Sequence, residues 1–173
     1  MRLQPRWGMI ACLTLEWLAL GLWVGGMMVL IGAVIPTVFN TFGGQDIGGL
    51  FLTKVFESYH RLVIGAIAVL GLGCWYRWWT GDPLVTVSGS ELSLLAGMVG
   101  IAGLIILVLH PQATALQAQA FSLQDPTEKK AALEALFRVL IPVRWLYLGN
   151  LLMGIILIVF KVIRSHGRDG ATA

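Results

Sequence analysis

The stretch TLEWLALGLWVGG, residues 14–26, places one carboxylate, Glu16, inside a run suited to lipid. An ionisable group at membrane depth is costly and is by default a hypothesis for a functional site. A helix that starts near Trp7 would hold Glu16 near the middle of the membrane. If the helix instead ends at Pro36, about twenty residues cover about 30 Å of hydrocarbon, and Glu16 lies at its edge. We favour the edge position, with Arg77 as the natural partner.

A second polar group opens the second apolar segment in KVFESYHRL, where Lys54, Glu57 and Arg61 share one short stretch. Glu57 and Arg61 stand four residues apart with the acid first, which is the favourable order for a helical ion pair. These charges can therefore satisfy one another without any function. The candidates for buried charges are Glu16, Arg77, Glu57, Arg61 and Arg144.

Two histidines, His60 and His110, fall at the same membrane edge as Arg144 once the helices are placed. Histidine is the commonest metal ligand and a ready proton carrier, so the pair permits a haem, copper or proton-relay site. The simpler interpretation is that both are interfacial and hydrogen-bonded to backbone or lipid headgroups. His60 and His110 are thus the candidate cofactor-binding residues.

Conventional catalytic sets are missing from the sequence, which has no HExxH, no phosphate loop and no recognisable Ser/His/Asp arrangement. Cys12, Cys74 and Met98 could offer soft ligands to copper(I), but no CxxC or methionine-rich run accompanies them. The two cysteines are first interpreted as small apolar residues within helices. An enzyme is the less favoured hypothesis.

The composition indicates an integral membrane protein. Of 173 residues, 57% are hydrophobic and 12% are charged, whereas soluble proteins have about one quarter charged residues. The apolar stretches predict an all-α fold, a four-helix transmembrane bundle that occupies residues 1–173 as a single domain. Its helices cover residues 9–36, 51–79, 90–110 and 134–163, and an amphipathic interfacial segment occupies residues 111–138.

Capping residues place two helix starts. Ser88 followed by Glu91 has the form of a capping box, which predicts a helix from about Gly89. Asp125 followed by Pro126 predicts another start. The residues after it form one apolar stripe, so we expect this helix at the membrane surface until the chain turns inward at Pro142.

Both termini are expected on one side of the membrane, because four spans return the chain to its starting side. The twelve basic residues divide equally between the two sides, so the positive-inside rule, which ignores acidic residues, gives a tie. Discounting the basic residues of the far side that have acidic neighbours favours termini in the cytoplasm. We predict a multi-pass protein of the inner (cytoplasmic) membrane. The net charge of +3 suits anionic lipid headgroups, and no basic stripe interleaved with aromatics suggests nucleic acid.

Small residues recur at spacings that allow close helix packing. They are Gly21 and Gly25 in the first helix and Ala96, Gly97, Gly100 and Gly103 in the third. The first interpretation is that they build a compact bundle. The alternative is that they bind a second copy or a larger membrane complex.

The stretches LWVGGMMVLIGAVIPTVFNTFGG and GGLFLTKVFESYHRLVIGAIAVL, with HPQAT further on, carry a family pattern. The chain resembles the four-helix family that includes transmembrane protein 205 and the bacterial domain of unknown function 4149. The matching residues are Trp23, Gly25, Gly26, Pro36, Phe39, Gly49, Phe56, Tyr59, Pro111 and Thr114.

The resemblance implies a four-helix transmembrane bundle, with a suggested link to tolerance of metal compounds. Its motif residues have architectural interpretations: Pro36 stops a helix, Gly25 and Gly26 permit close crossing, and Phe56 with Tyr59 anchors the return at the interface. One departure is Ile141, where the family tends to have a histidine before its last helix, and this weakens histidine-based chemistry here.

Three functions follow as hypotheses. The first is a non-enzymatic accessory or structural subunit that packs against lipid or protein. The second is a haem- or copper-handling redox or metal-tolerance protein that uses His60 and His110. The third is a small proton-coupled transporter centred on Glu16.

Overall fold

A computed structural model describes residues 7–42, 46–80, 87–123 and 125–169. These residues are 97% helical and include no strands. Four helices are long and apolar enough to cross a membrane, as predicted. They are the first span Trp7–Phe42, the second span Ile47–Thr80, the third span Gly89–Ser122 and the fourth span Thr127–Ile163.

Two of the four spans are each divided by a short π-helical turn. The first span comprises α1 (Trp7–Val29), a π-helical turn (Leu30–Val34) and α2 (Ile35–Phe42); the second is α3 (Asp46–Thr80). The third span comprises α4 (Gly89–Leu104), a π-helical turn (Ile105–Leu109) and α5 (His110–Ser122), and α6 (Pro126–Asp169) contains the fourth.

The π-helical turn at Leu30–Val34 explains why Pro36 does not end the first helix, contrary to the prediction. Proline lacks an N–H, and its ring clashes with the carbonyl four residues earlier. Just before Pro36 the N–H of Ile35 donates to the carbonyl of Leu30, five residues back. A π-helical turn is wider than an α-helical one, and it lets the helix continue past the proline to Phe42.

The third span also has a π-helical turn just before a proline, Pro111. The N–H of His110, which precedes Pro111, donates to the carbonyl of Ile105 five residues back. The helix therefore continues to Ser122, beyond the end predicted at residue 110.

The predicted interfacial segment, residues 111–138, is divided between α5 and the first half of α6. Both starts predicted from capping are confirmed, at Gly89 and Pro126. However, α6 passes straight through Pro142, so the chain does not begin a new helix there. Pro142 is exposed, where the one backbone hydrogen bond that it removes is least costly.

The spans contain 34 to 37 residues each, which at about 1.5 Å per residue exceeds the roughly 30 Å of hydrocarbon. The exposed surface turns polar at Lys54 and Arg61 on α3 and at Arg144 on α6. We therefore place α2, α5 and the first halves of α3 and α6 beyond the hydrocarbon. This is the histidine end of the bundle, since it contains His60 and His110.

Glycines let the spans pack closely around a core that includes Leu20, Trp23 and Leu157, each at most 1% exposed. A Cβ on Gly26 would lie 2.9 Å from the ring of Tyr59, whereas a Cβ on neighbouring Gly25 would meet no described atom within 4 Å. The two glycines of the Gly–Gly pair thus have opposite environments.

This contrast gives a matched pair of variants. We expect Gly26→Ala to lower the free energy of unfolding by about 1–3 kcal/mol, because the new methyl overpacks the core against Tyr59. Gly25→Ala should be neutral or stabilise by up to about 1 kcal/mol, through helix propensity alone. Unfolding in mixed micelles, at concentrations where the chain is monomeric, measures both. Equal effects would contradict the assigned packing.

Candidate functional site

Four charged side chains, one from each span, meet in a buried ion cluster. Glu16 Oε2 accepts hydrogen bonds from Arg77 Nη1 at 2.9 Å and from Lys161 Nζ at 2.7 Å. Glu91 Oε1 lies 3.0 Å from Arg77 Nη1 and 3.1 Å from Lys161 Nζ. The side chains are between 1% and 13% exposed. With two acids and two bases, the cluster carries no net formal charge.

Local sequence features position the members of the cluster. Gly73 makes room for the carboxylate of Glu16, since a Cβ there would lie 2.6 Å from Glu16 Oε1. Ser88 caps α4 by accepting the N–H of Glu91 at 3.3 Å. The Glu91 carboxylate consequently sits in the first turn of α4, where the helix dipole favours negative charge.

The cluster lies near the end of the apolar surface, opposite the histidine end. Three tryptophans, Trp75, Trp78 and Trp79, are exposed around Arg77 on α3, as in the aromatic belt at a membrane interface. Trp17 lies beside the cluster, with Lys161 Nζ 6.0 Å from its ring centroid. We infer an edge position for Glu16 from these neighbours.

The sequence predicted only part of this cluster. Arg77 was expected as the partner of Glu16, whereas Glu91 was assigned to a helix cap and Lys161 was not among the candidates for buried charges. The other candidates for buried charges lie elsewhere: Glu57 is partly exposed, and Arg61 and Arg144 are exposed.

At the histidine end, contacts among His60, His110 and Tyr147 join the second, third and fourth spans. His60 Nε2 is 2.7 Å from the hydroxyl of Tyr147, and the His60 and His110 rings meet edge to face with centroids 4.7 Å apart. Phe56 packs beside Tyr147 at 5.6 Å between centroids. The convergence of the two histidines inferred from topology is therefore present, and Tyr147 is an unforeseen member.

Tyr59 departs from its sequence interpretation as an interfacial anchor. Its side chain is buried, and its hydroxyl donates to the carbonyl of Trp23 at 2.8 Å. The hydroxyl thus finds a partner within the bundle, which a buried tyrosine needs.

In this arrangement, His60 and His110 are not placed to bind one metal ion from opposite sides. Imidazoles that bind opposite sides of one metal at about 2 Å hold their centroids about 6 Å apart, more than the 4.7 Å between His60 and His110. Within the described ranges, no three His, Cys, Asp or Glu side chains are grouped so that they could hold a metal ion.

The remaining family positions, Phe39, Gly49, Pro111 and Thr114, lie at the histidine end of the bundle. A Cβ on Gly49 would lie 3.1 Å from Gln117 Nε2, and Thr53 donates to Gln117 Oε1 at 2.6 Å. Thr114 Oγ1 donates to the carbonyl of Pro111 at 2.9 Å, and Phe39 is exposed. The contacts of Gly49 and Thr53 with Gln117 join α3 to α5 at the histidine end.

A family profile described as a domain of unknown function, DUF4149, matches residues 18–122. The chain belongs to this family. The matched range contains His60, Arg77, Glu91 and His110, while Glu16 and the whole fourth span lie outside it. No curated protein and no solved structure matches the chain.

The ion cluster of this DUF4149 protein gives a stability prediction. We expect Glu16→Gln to cost about 3–5 kcal/mol of unfolding free energy, because it leaves a buried positive charge uncompensated. Glu57→Gln, which affects a carboxylate with exposed partners, should cost far less, because exposed ion pairs contribute little to stability. Unfolding in mixed micelles compares the two, and similar small losses would mean that the cluster is hydrated and not buried.

The histidine pair gives a second prediction. Elemental analysis of the protein in mild detergent should find copper and iron far below one atom per chain, because only two imidazoles converge and one binds Tyr147. The His60→Ala, His110→Ala double variant is the control. Near-stoichiometric metal in the native chain that disappears in the double variant would contradict this prediction and favour metal handling.

Proposed function

We propose that this DUF4149 protein is a non-enzymatic membrane subunit that associates with a second copy of itself through the outer face of its first span. The observation that supports this most is the placement of three glycines. Cβ atoms on Gly21, Gly25 and Gly32 would each meet no described atom within 4 Å. The bundle therefore leaves these positions uncovered.

Gly21 and Gly25 form one stripe of α1, since their spacing places them within about 40° of one another around an α-helix, and Gly32 follows in the π-helical turn of the same span. Exposed Leu18 and Met28 flank the stripe. Small residues four apart on a lipid-facing helix allow a second helix to approach closely, most often in a symmetric pair. We call Gly21, Gly25 and Gly32 the glycine face.

The glycine face corrects the expectation that the small residues chiefly pack within the chain. That interpretation holds for Gly26, which packs on Tyr59, and for Gly97, which packs on Met153. It is wrong for Gly21 and Gly25, and also for Gly100 and Gly103 of the third span, whose Cβ positions are open as well.

The ion cluster supports a structural role for Glu16 more than one in transport. Its carboxylate binds Arg77 of the second span and Lys161 of the fourth. Removing it would leave positive charge buried in the bundle, which is strongly unfavourable.

We further propose kinship with the transmembrane protein 205-like family, supported by Trp23, Gly25, Gly26 and Pro36 in their family spacing.

We also propose that the protein lies in the inner membrane with both termini in the cytoplasm. The basic residues divide equally between the two sides, so the support comes from acidic neighbours on the far side, such as Glu57, which binds both Lys54 and Arg61. Topology reporters fused to each terminus test the orientation.

Disulfide crosslinking tests the self-association. In a chain with Cys12→Ala and Cys74→Ala, we expect Leu18→Cys or Leu22→Cys to yield disulfide-linked dimers in membranes. Both side chains lie on the exposed surface of α1, whereas the control, Leu72→Cys, is equally exposed on α3 and should not crosslink.

Adding Gly25→Leu should reduce the α1 crosslinks at least several-fold without unfolding the chain, because the new side chain blocks close helix approach. Crosslinking that is equal at Leu22 and Leu72, or indifferent to Gly25→Leu, would overturn the proposal.

A further inference from the structure

A small cavity lies among the four spans, on the inner side of the histidine–tyrosine pair. Its volume is about 10 Å³, and its lining includes Trp23, His60, Tyr147 and Asn150. That volume is about what one water molecule requires. Trp23 and Asn150 are each 1% exposed, so the cavity lies deep within the bundle, and these two residues bring polar atoms to a lining that is otherwise mostly apolar.

Two of the lining residues each carry a buried polar atom that lacks a hydrogen-bond partner among the described residues. These atoms are the indole nitrogen Nε1 of Trp23 and the amide oxygen Oδ1 of Asn150. The other amide atom of Asn150, Nδ2, donates to the carbonyl of Met98 at 3.3 Å, which orients the amide. A buried donor or acceptor without a partner is unfavourable, so both atoms favour a polar ligand within reach.

We propose that this cavity is a binding site for one ordered water molecule that joins the first span to the fourth. The water accepts the N–H of Trp23 and donates to Asn150 Oδ1 and to the hydroxyl oxygen of Tyr147. That oxygen can accept while its own hydrogen is shared with His60 Nε2. Three bonds are the usual number for a buried water, and an apolar occupant of this size would satisfy neither orphan atom.

The site gives the histidine end a polar extension into the membrane. His60 binds Tyr147, Tyr147 binds the water, and the water binds Asn150. Asn150 lies six residues beyond exposed Arg144, which is about 9 Å along α6. Farther along, buried Leu20 and Leu157 separate Asn150 from the ion cluster, so the polar chain ends within the membrane.

This inference is independent of self-association, since every residue that it uses faces the interior of one chain. The test uses the full chain in lipid nanodiscs with ¹⁵N-labelled tryptophan indoles. Trp23→Phe identifies the Trp23 indole signal, and magnetisation transfer from water to that N–H is the readout.

We expect transfer from a long-lived water to the Trp23 indole in the native chain. Tyr147→Phe and Asn150→Leu, which each remove a partner of the water, should weaken this transfer several-fold or abolish it. The control Leu157→Met, a volume-conserving change outside the cavity lining, should leave it intact.

Absence of transfer in the native chain would overturn the proposal, and so would transfer that is unchanged in both variants. The measurement on the native chain decides the question even if Asn150→Leu fails to fold.

Discussion

The fold of this protein depends on an ion cluster whose four members come from four different spans. In lipid, the hydrophobic effect gives helices little reason to associate with one another, so packing and polar contacts must hold the bundle together. Glu16, Arg77, Glu91 and Lys161 supply such contacts at one end. Because the charges balance, each one is tolerated only while its partners are present, and this makes the cluster specify which helices meet and in what register.

The opposite end is held by different chemistry. There the contacts are aromatic and hydrogen-bonded, through the His60–Tyr147 pair and the bond from Tyr59 to the Trp23 carbonyl. Between the ends, glycines such as Gly26 and Gly154 allow close packing of large residues. The glycine face does not pack against any described side chain within the chain. Its open positions are the reason for proposing a partner helix.

The sequence was most informative where one residue decides a local structure. Apolar length predicted four helices, and Ser88 and Asp125 marked two helix starts correctly. It was least informative where a residue has two uses. Glu91 fits a capping box, yet its carboxylate binds Arg77. Pro36 and Pro111 look like helix ends, because no sequence pattern indicates the π-helical turns that precede them.

Buried polar partners were also hidden for a physical reason. Lys161 and Asn150 stand in α6 among apolar residues, and a single sequence does not say which face of a helix meets its neighbours. One signal was available: two acids and two bases fall near the same predicted membrane edge, which is the composition of a neutral cluster. The inward and outward sides of Gly25 and Gly26 likewise depend on the register of α1 against α3, which only the packed bundle defines.

The most direct test of the ion cluster's role is a double-mutant cycle between Glu16 and Lys161, measured as the free energy of unfolding in mixed micelles. Glu16→Gln and Lys161→Met each unbalance the cluster, whereas the double variant leaves the neutral Arg77–Glu91 pair. We predict that the double variant is more stable than the sum of the single losses implies, by about 1–3 kcal/mol. Strictly additive losses would contradict the account, because they would mean that the two spans do not meet through these charges.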